Sequence, residues 1–175
     1  MDAGLLVLRA LLAAVLFAHA TQKLWGWFGG PGRAKSSEMF AALGHRPAAL
    51  MVTLAGSAEF TAAFLLISGL LSPLAAAMTM VVMLVAGLSM TQFKGRLWNS
   101  VGGGEYPLVL AGTGAVVALT GPGAWSLDAV LDAAWYAPAG SSVFVLAGPG
   151  AILGAAVAAS VPVLRARRQM NIDRV

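Results

Sequence analysis

Long apolar runs alternate with short polar breaks along this chain, and the runs have the length of membrane spans. A helix needs about twenty mostly apolar residues to cross the hydrocarbon core. Five runs are candidates, at about residues 4–24, 48–71, 74–93, 106–121 and 141–164, with the fourth the shortest. The breaks carry turn and cap signals. Ser36-Ser37-Glu38 opens a short helix that Gly44 ends, Ser72-Pro73 makes a tight turn, and Gly121-Pro122-Gly123 reverses the chain. After that reversal, Ser126 or Asp128 caps a short helix running toward Trp135 and Tyr136, which Pro138-Ala139-Gly140 ends. Small residues recur every fourth position as Ala10, Ala14 and Ala18 in the first run and Gly150, Gly154 and Ala158 in the fifth. Such stripes let helix backbones approach in lipid and predict packing seams, with self-association of the chain as the alternative.

Composition strengthens the membrane reading. Of 175 residues, 59% are apolar and 10% charged, with a mean hydropathy of +0.82. Soluble domains carry about a quarter charged residues, so the expected class is an all-α integral membrane protein. The net charge of +4 comes from Lys and Arg in the connecting segments, which speaks for topology and against a nucleic-acid partner. Lys23, Arg33, Lys35 and Arg46 follow the first run, Lys94 and Arg96 the third, and Arg165, Arg167, Arg168 and Arg174 the fifth. Basic residues in short loops stay cytoplasmic. The N-terminus is therefore expected outside and the C-terminus inside. Asp2 before the first run and Arg9 within it fit a retained helix better than a cleaved leader.

The chemistry-bearing residues are few. The stretch from His19 to Gly32 places His19 and Lys23 on one side of a helix, with Trp25 and Trp27 following as an interfacial belt. Gly29-Gly30-Pro31-Gly32-Arg33-Ala34-Lys35-Ser36 falls short of a phosphate-binding loop because Ala34 stands where a glycine is needed, and no strand precedes it. Arg9, His19 and Glu59 sit within predicted spans. A charge at mid-membrane depth costs about 2.5 to 3.5 kcal/mol even on the lenient insertion scale, so each should face the interior and find a partner. Glu59, near the middle of its span, is within reach of Arg9 as a structural ion-pair partner and of His19 as a proton partner. Glu105 either favours the start of the fourth helix or faces His19 and Lys23, in which case Trp25, Trp27, Trp98 and Asn99 rim a polar-aromatic pocket. Such a pocket suits a quinone or lipid head group. His45 reads as a solvated loop side chain. Two histidines and scattered carboxylates do not make a metal set, no catalytic motif is present, and the absence of cysteine leaves no thiol couple, so any redox centre would be borrowed. Met78, Met80, Met83 and Met90 read as adaptable core filling.

The order of these pieces resembles one family. Arg9 near the start of the first span, His19 to Trp27, Gly56-x-x-Glu59, Gly102-Gly103-Gly104-Glu105 and Gly121-Pro122-Gly123 through Ser126-Leu127-Asp128 together are similar to the DoxX family of small bacterial membrane proteins. The resemblance covers roughly residues 4 to 132 and implies a DoxX-like four-helix transmembrane bundle over residues 1–135. This chain adds a fifth transmembrane helix over 136–164 and a basic cytoplasmic tail over 165–175. Relatives include a subunit of an archaeal thiosulfate:quinone oxidoreductase and a mycobacterial member of a membrane oxidoreductase complex, and the Ala/Gly-rich composition suits an actinobacterial source. The resemblance thus implies a subunit in the bacterial plasma membrane that supports an oxidoreductase assembly and contacts its other subunits and membrane lipids. No covalent cofactor is implied; a quinone or lipid is the ligand class. Arg9, His19, Lys23, Glu59 and Glu105 match the family's polar positions. The alternatives are a proton or small-molecule carrier using Glu59 and His19, and a scaffold that recruits other proteins.

Overall fold

The computed structural model describes residues 2–131 and 142–173, without the side chains of 142–146. Among the described residues seven α-helices follow one another: α1 (Asp2–Trp25), α2 (Gly32–Ala42), α3 (Ala48–Ser68), α4 (Ser72–Lys94), α5 (Glu105–Thr120), α6 (Leu127–Val130) and α7 (Ser142–Ile172). Short 3-10 turns at Trp27–Gly29 and Asn99–Val101 join α1 to α2 and α4 to α5. No strand occurs among the described residues.

Among the described residues four helices are long and apolar enough to cross a membrane: α1, α3, α4 and the Ala147–Ile172 part of α7. α5 is apolar but has 16 residues, or about 24 Å at 1.5 Å per residue. The outward faces are apolar too, with Val7, Leu11, Leu54, Phe64, Val109, Val116, Leu153 and Val157 all exposed. A soluble bundle would turn polar side chains outward there; this surface is built for lipid. The chain is a multi-pass, all-helical membrane protein.

Turn chemistry sets the up-and-down order. α3 ends in a Schellman arrangement, in which Gly69 N–H donates to Leu66 O and Leu70 N–H to Leu65 O. Gly69 takes the left-handed conformation this requires, with φ 63°. Leu71 is also left-handed, with φ 48°, and Pro73 fits the first turn of α4, where no N–H is needed. α4 and α5 approach so closely that a Cβ on Gly104 would strike the backbone of Gly87. The core joins Leu12 and Leu16 of α1, Ala62 and Leu66 of α3, Ala76 and Met83 of α4, Val117 of α5 and Ala155 of α7.

This order gives the bundle two unlike ends. Asp2, the α3–α4 turn and Asp128 gather at one. Lys23, α2, Lys94, Glu105 and the last turns of α7 gather at the other, where Gly44 packs against the Ala166 backbone. We call these the acidic and basic ends.

Several boundaries differ from the sequence expectation. α2 begins at Gly32 rather than Ser36, because Pro31 before it already holds φ near −71°; Ser36 is buried within the helix. α7 continues to Ile172, so residues 165–172 are helix and not a separate tail. The small-residue stripe of α7 faces away from internal seams, and that of α1 lies only at the edge of one, with Ala10 and Ala18 half-buried. Ala14, Gly150, Gly154 and Ala158 are exposed, while α1 buries Arg9, Ala13, Leu16 and Ala20, and α7 buries Ala155, Ala159, Val163 and Ala166. A four-residue period marks a face without saying which neighbour it meets. Ser126 is the N-cap of α6, accepting from Ala129 N–H at 3.2 Å. The expected continuation of α6 through Trp135 and Tyr136, and the Pro138–Gly140 stop, lie outside the described residues.

Candidate functional site

α1 and α3 run antiparallel, and their register decides which charges meet. Toward the basic end, Leu24 fills the space opposite Gly56, where a Cβ would collide with it, and Phe17 contacts Phe60 with ring centroids 5.7 Å apart. Between these levels the Lys23 ammonium donates to Glu59 Oε1 and forms an ion pair with it. Glu59 is 1% exposed, and its other oxygen, Oε2, is buried with no hydrogen-bond partner among the described residues. Lys23 reaches this carboxylate because its four-carbon stem lies along apolar surface while its side chain stays 16% exposed. A carboxylate held this way is a strong acceptor with one position unused.

An aromatic group flanks the pair. Trp25 packs on Trp27 at 5.7 Å and on Phe60, the neighbour of Glu59, at 5.9 Å. On another side of α1, His19 meets the Tyr106 ring of α5 at 5.9 Å. His19, Lys23, Trp25 and Glu59 therefore share one half of the bundle.

Arg9 does not pair with Glu59, as the sequence suggested. Its guanidinium donates to Leu66 O at 3.3 Å and to Trp125 O at 2.5 Å. The reason is register: Arg9 lies level with Leu66, seven residues and about 10 Å further along α3 than Glu59. There it fills the space beside Gly69, where a Cβ would strike both the guanidinium and Ser126. Asp128 completes this second charged site. It is fully buried and accepts from Leu71 N–H at 2.8 Å, Ser72 N–H at 2.9 Å and Ser72 Oγ–H at 2.6 Å. Its own N–H donates to Gly69 O at 3.0 Å. One carboxylate thus stabilises the left-handed Leu71 and ties the turn after α5 to the α3–α4 turn. The sequence marks Asp128 as a helix cap and as the end of the Gly-Pro-Gly to Ser-Leu-Asp motif, but assigns it no role in tying two turns together.

Glu105 also goes elsewhere. Its Oε2 accepts the Asn99 N–H at 2.9 Å, so it fastens the loop before its own helix and does not face Lys23. Trp98 is exposed on that loop. The expected pocket, rimmed by Trp25, Trp27, Trp98 and Asn99, is therefore not assembled: Glu105 and Trp98 stand apart from the Lys23–Glu59 pair. His45 is a further correction. It is buried, not solvated, with Nε2 3.0 Å from Ser89 Oγ and its ring 5.7 Å from Phe40. Burial among these groups, where the charged form is poorly solvated, pushes its pKa below the ordinary 6.5. Nothing in the sequence beside Arg46-Pro47 marked it as interior. Among the described residues, no three His, Asp or Glu side chains come together in a group that could hold a metal ion.

A family model described as DoxX matches residues 4–92, just over half of the chain. The match takes in α1 to α4 up to Gln92, and so contains Arg9, Lys23 and Glu59. Asp128, Glu105 and α7 fall beyond it. Neither the curated proteins nor the solved structures give a match.

Proposed function

The chain belongs to the DoxX family, and on that premise we propose that it is a membrane subunit supporting an oxidoreductase assembly, with a quinone or lipid head group held at the Lys23–Glu59 pair. The observation that carries this reading is the unused Glu59 oxygen. An ionisable group buried in a span is a functional site by default, and this one offers a hydroxyl-bearing head group an acceptor at Oε2 beside the Lys23 cation. Trp25, Trp27 and Phe60 supply flat apolar surface on the same side. Having no cysteine, the chain brings no thiol couple, so electrons would pass through partner subunits. The basic end would lie in the cytoplasm.

Fluorescence quenching tests this directly. Purified protein in quinone-free nanodiscs is titrated with a short-chain naphthoquinol held reduced, whose hydroxyl can donate to Glu59 Oε2. Saturable quenching of the tryptophans is expected, weakened about tenfold in Glu59→Gln, with the melting curve showing that the variant is folded. Quenching that rises linearly and equally in both proteins is partition into lipid and sinks the ligand reading.

The same oxygen favours a second reading, in which Glu59 exchanges protons as part of a carrier. Proteoliposomes separate the two. A proton flux present in the native chain and absent in Glu59→Gln, without saturable quinol quenching, selects the carrier.

A further inference from the structure

At the basic end, α7 meets α2 and the end of α4 around a cleft of about 290 Å³. Ala41, Ala42, Phe93 and Met170 give it apolar walls, and Arg46 and Asp173 stand at its mouth. Phe93 precedes Lys94, the cation that ends α4. The cleft therefore sits where apolar surface gives way to charge, at head-group depth.

The two charges are held differently. Asp173 Oδ1 accepts from Gln169 Nε2 at 3.1 Å, which fixes the carboxylate on α7. Its Oδ2 faces Arg46 at 3.4 Å through a single contact, with both side chains about half exposed. An exposed pair of this kind contributes roughly 0 to 1 kcal/mol, so opening it costs little. A ligand carrying an anion and a cation on a short linker replaces this weak pair with two stronger ones.

We propose that this cleft binds the head group of a zwitterionic amine phospholipid, phosphatidylethanolamine, with its phosphate on Arg46 and its ammonium on Asp173. A guanidinium takes a phosphate through two parallel N–H bonds, and a primary ammonium donates to the free carboxylate oxygen. The volume is close to the lower bound of small-ligand sites, about 300 Å³, and so admits a head group while the acyl chains follow the apolar faces outside. Asp173 sets the choice among lipids: it repels a purely anionic head group, and a choline head group has no N–H to donate. The site depends on α7, which the family match does not reach, and it stands independently of the Lys23–Glu59 reading.

The test uses the whole chain in nanodiscs of equal phosphatidylethanolamine, phosphatidylglycerol and phosphatidylcholine, released into detergent and weighed intact by native mass spectrometry. About fivefold more retained phosphatidylethanolamine than either competitor is expected. Asp173→Asn should abolish that preference and raise phosphatidylglycerol, Arg46→Gln should lose retention of all three, and Met170→Trp should lose it by filling the cleft with both charges in place. Melting curves confirm the fold of each variant. Equal retention of the three lipids by the native chain, or an unchanged preference in Asp173→Asn, overturns the proposal.

Discussion

The bundle buries charge at two places, and they are built to opposite standards. At the acidic end, Asp128 accepts three hydrogen bonds and Arg9 caps two backbone carbonyls, while α1 and the turn after α5 both close on Gly69. In the basic half, Glu59 has one partner among the described residues, and one of its oxygens has none there. Buried polar groups are normally satisfied because an unmade hydrogen bond in low dielectric costs free energy. At the first site both carboxylate oxygens and both terminal guanidinium nitrogens find partners, with only Arg9 Nε–H unmatched among the described residues, and the site reads as a clamp. The second departs from that rule, and departures of this kind gather where chemistry or binding occurs. Charge burial alone does not separate structure from function; the difference lies in the carboxylates, since both Asp128 oxygens accept hydrogen bonds and one Glu59 oxygen does not among the described residues.

Breaking the clamp should have the largest effect. Asp128→Ala strips partners from Leu71 N–H, Ser72 N–H and the Ser72 hydroxyl and leaves Arg9 without a nearby counter-charge. A loss of about 3 to 5 kcal/mol is expected, read by reversible unfolding in mixed micelles. Gly69→Ala should fall in the same range, since it places a side chain at φ 63° and into the Arg9 guanidinium. If either variant unfolds like the native chain, the acidic end is not a clamp and the contrast fails.

Glu59→Gln comes next, and it sharpens the comparison because stability and binding should part. The amide keeps the shape, and Lys23, already partly exposed, can carry its charge toward water. A cost of about 1 to 2 kcal/mol is expected, together with loss of quinol quenching. A cost equal to that of Asp128→Ala with no change in quenching would make the two sites alike.

What was legible in the sequence follows the same division. Apolar run length set the first four long helices to within about three residues, because hydrocarbon thickness constrains them directly, while α7 runs on to Ile172, past the expected end at 164. Glu59 and Arg9 stood out because charge is rare in such runs. Their partners were not legible, since pairing depends on the α1–α3 register, which no single helix encodes. Lys23 shows why: three residues past the last fully buried apolar position of α1, Ala20, it looks interfacial, yet its stem turns inward. Asp128 and His45 hid in loops, where polar residues are ordinarily solvated, and became interior only when α7 and the α3–α4 turn closed over their surroundings. The small-residue stripes of α1 and α7 were visible but did not reveal their neighbours.

His45 gives a smaller, pH-dependent effect. Its pKa in the folded chain lies below 6.5, so at acid pH the unfolded chain binds more protons than the folded one. The stability gained by burying the neutral His45 ring is then complete above pH 6.5 and is lost as the pH falls through the folded value. Melting temperature should rise with pH across this window in the native chain, and the rise should flatten in His45→Gln. An unchanged slope in that variant would assign the dependence to other groups.

The smallest effect belongs to Arg46→Gln. Arg46 and Asp173 form the other ion pair among the described residues, but it is exposed, long and made through one contact. Water solvates both ends when it opens, and salt screens it further. The loss of stability should stay under about 1 kcal/mol and vanish at high ionic strength, as followed by unfolding at two salt concentrations. This variant calibrates the comparison between the buried sites. It removes a charge from an ion pair, as Glu59→Gln does, while leaving no buried atom unpartnered, so the difference between the two losses reports what burial adds. A salt-independent loss larger than that of Glu59→Gln would mean that the α2–α7 contact, and not α1–α3, carries the stronger electrostatic tie.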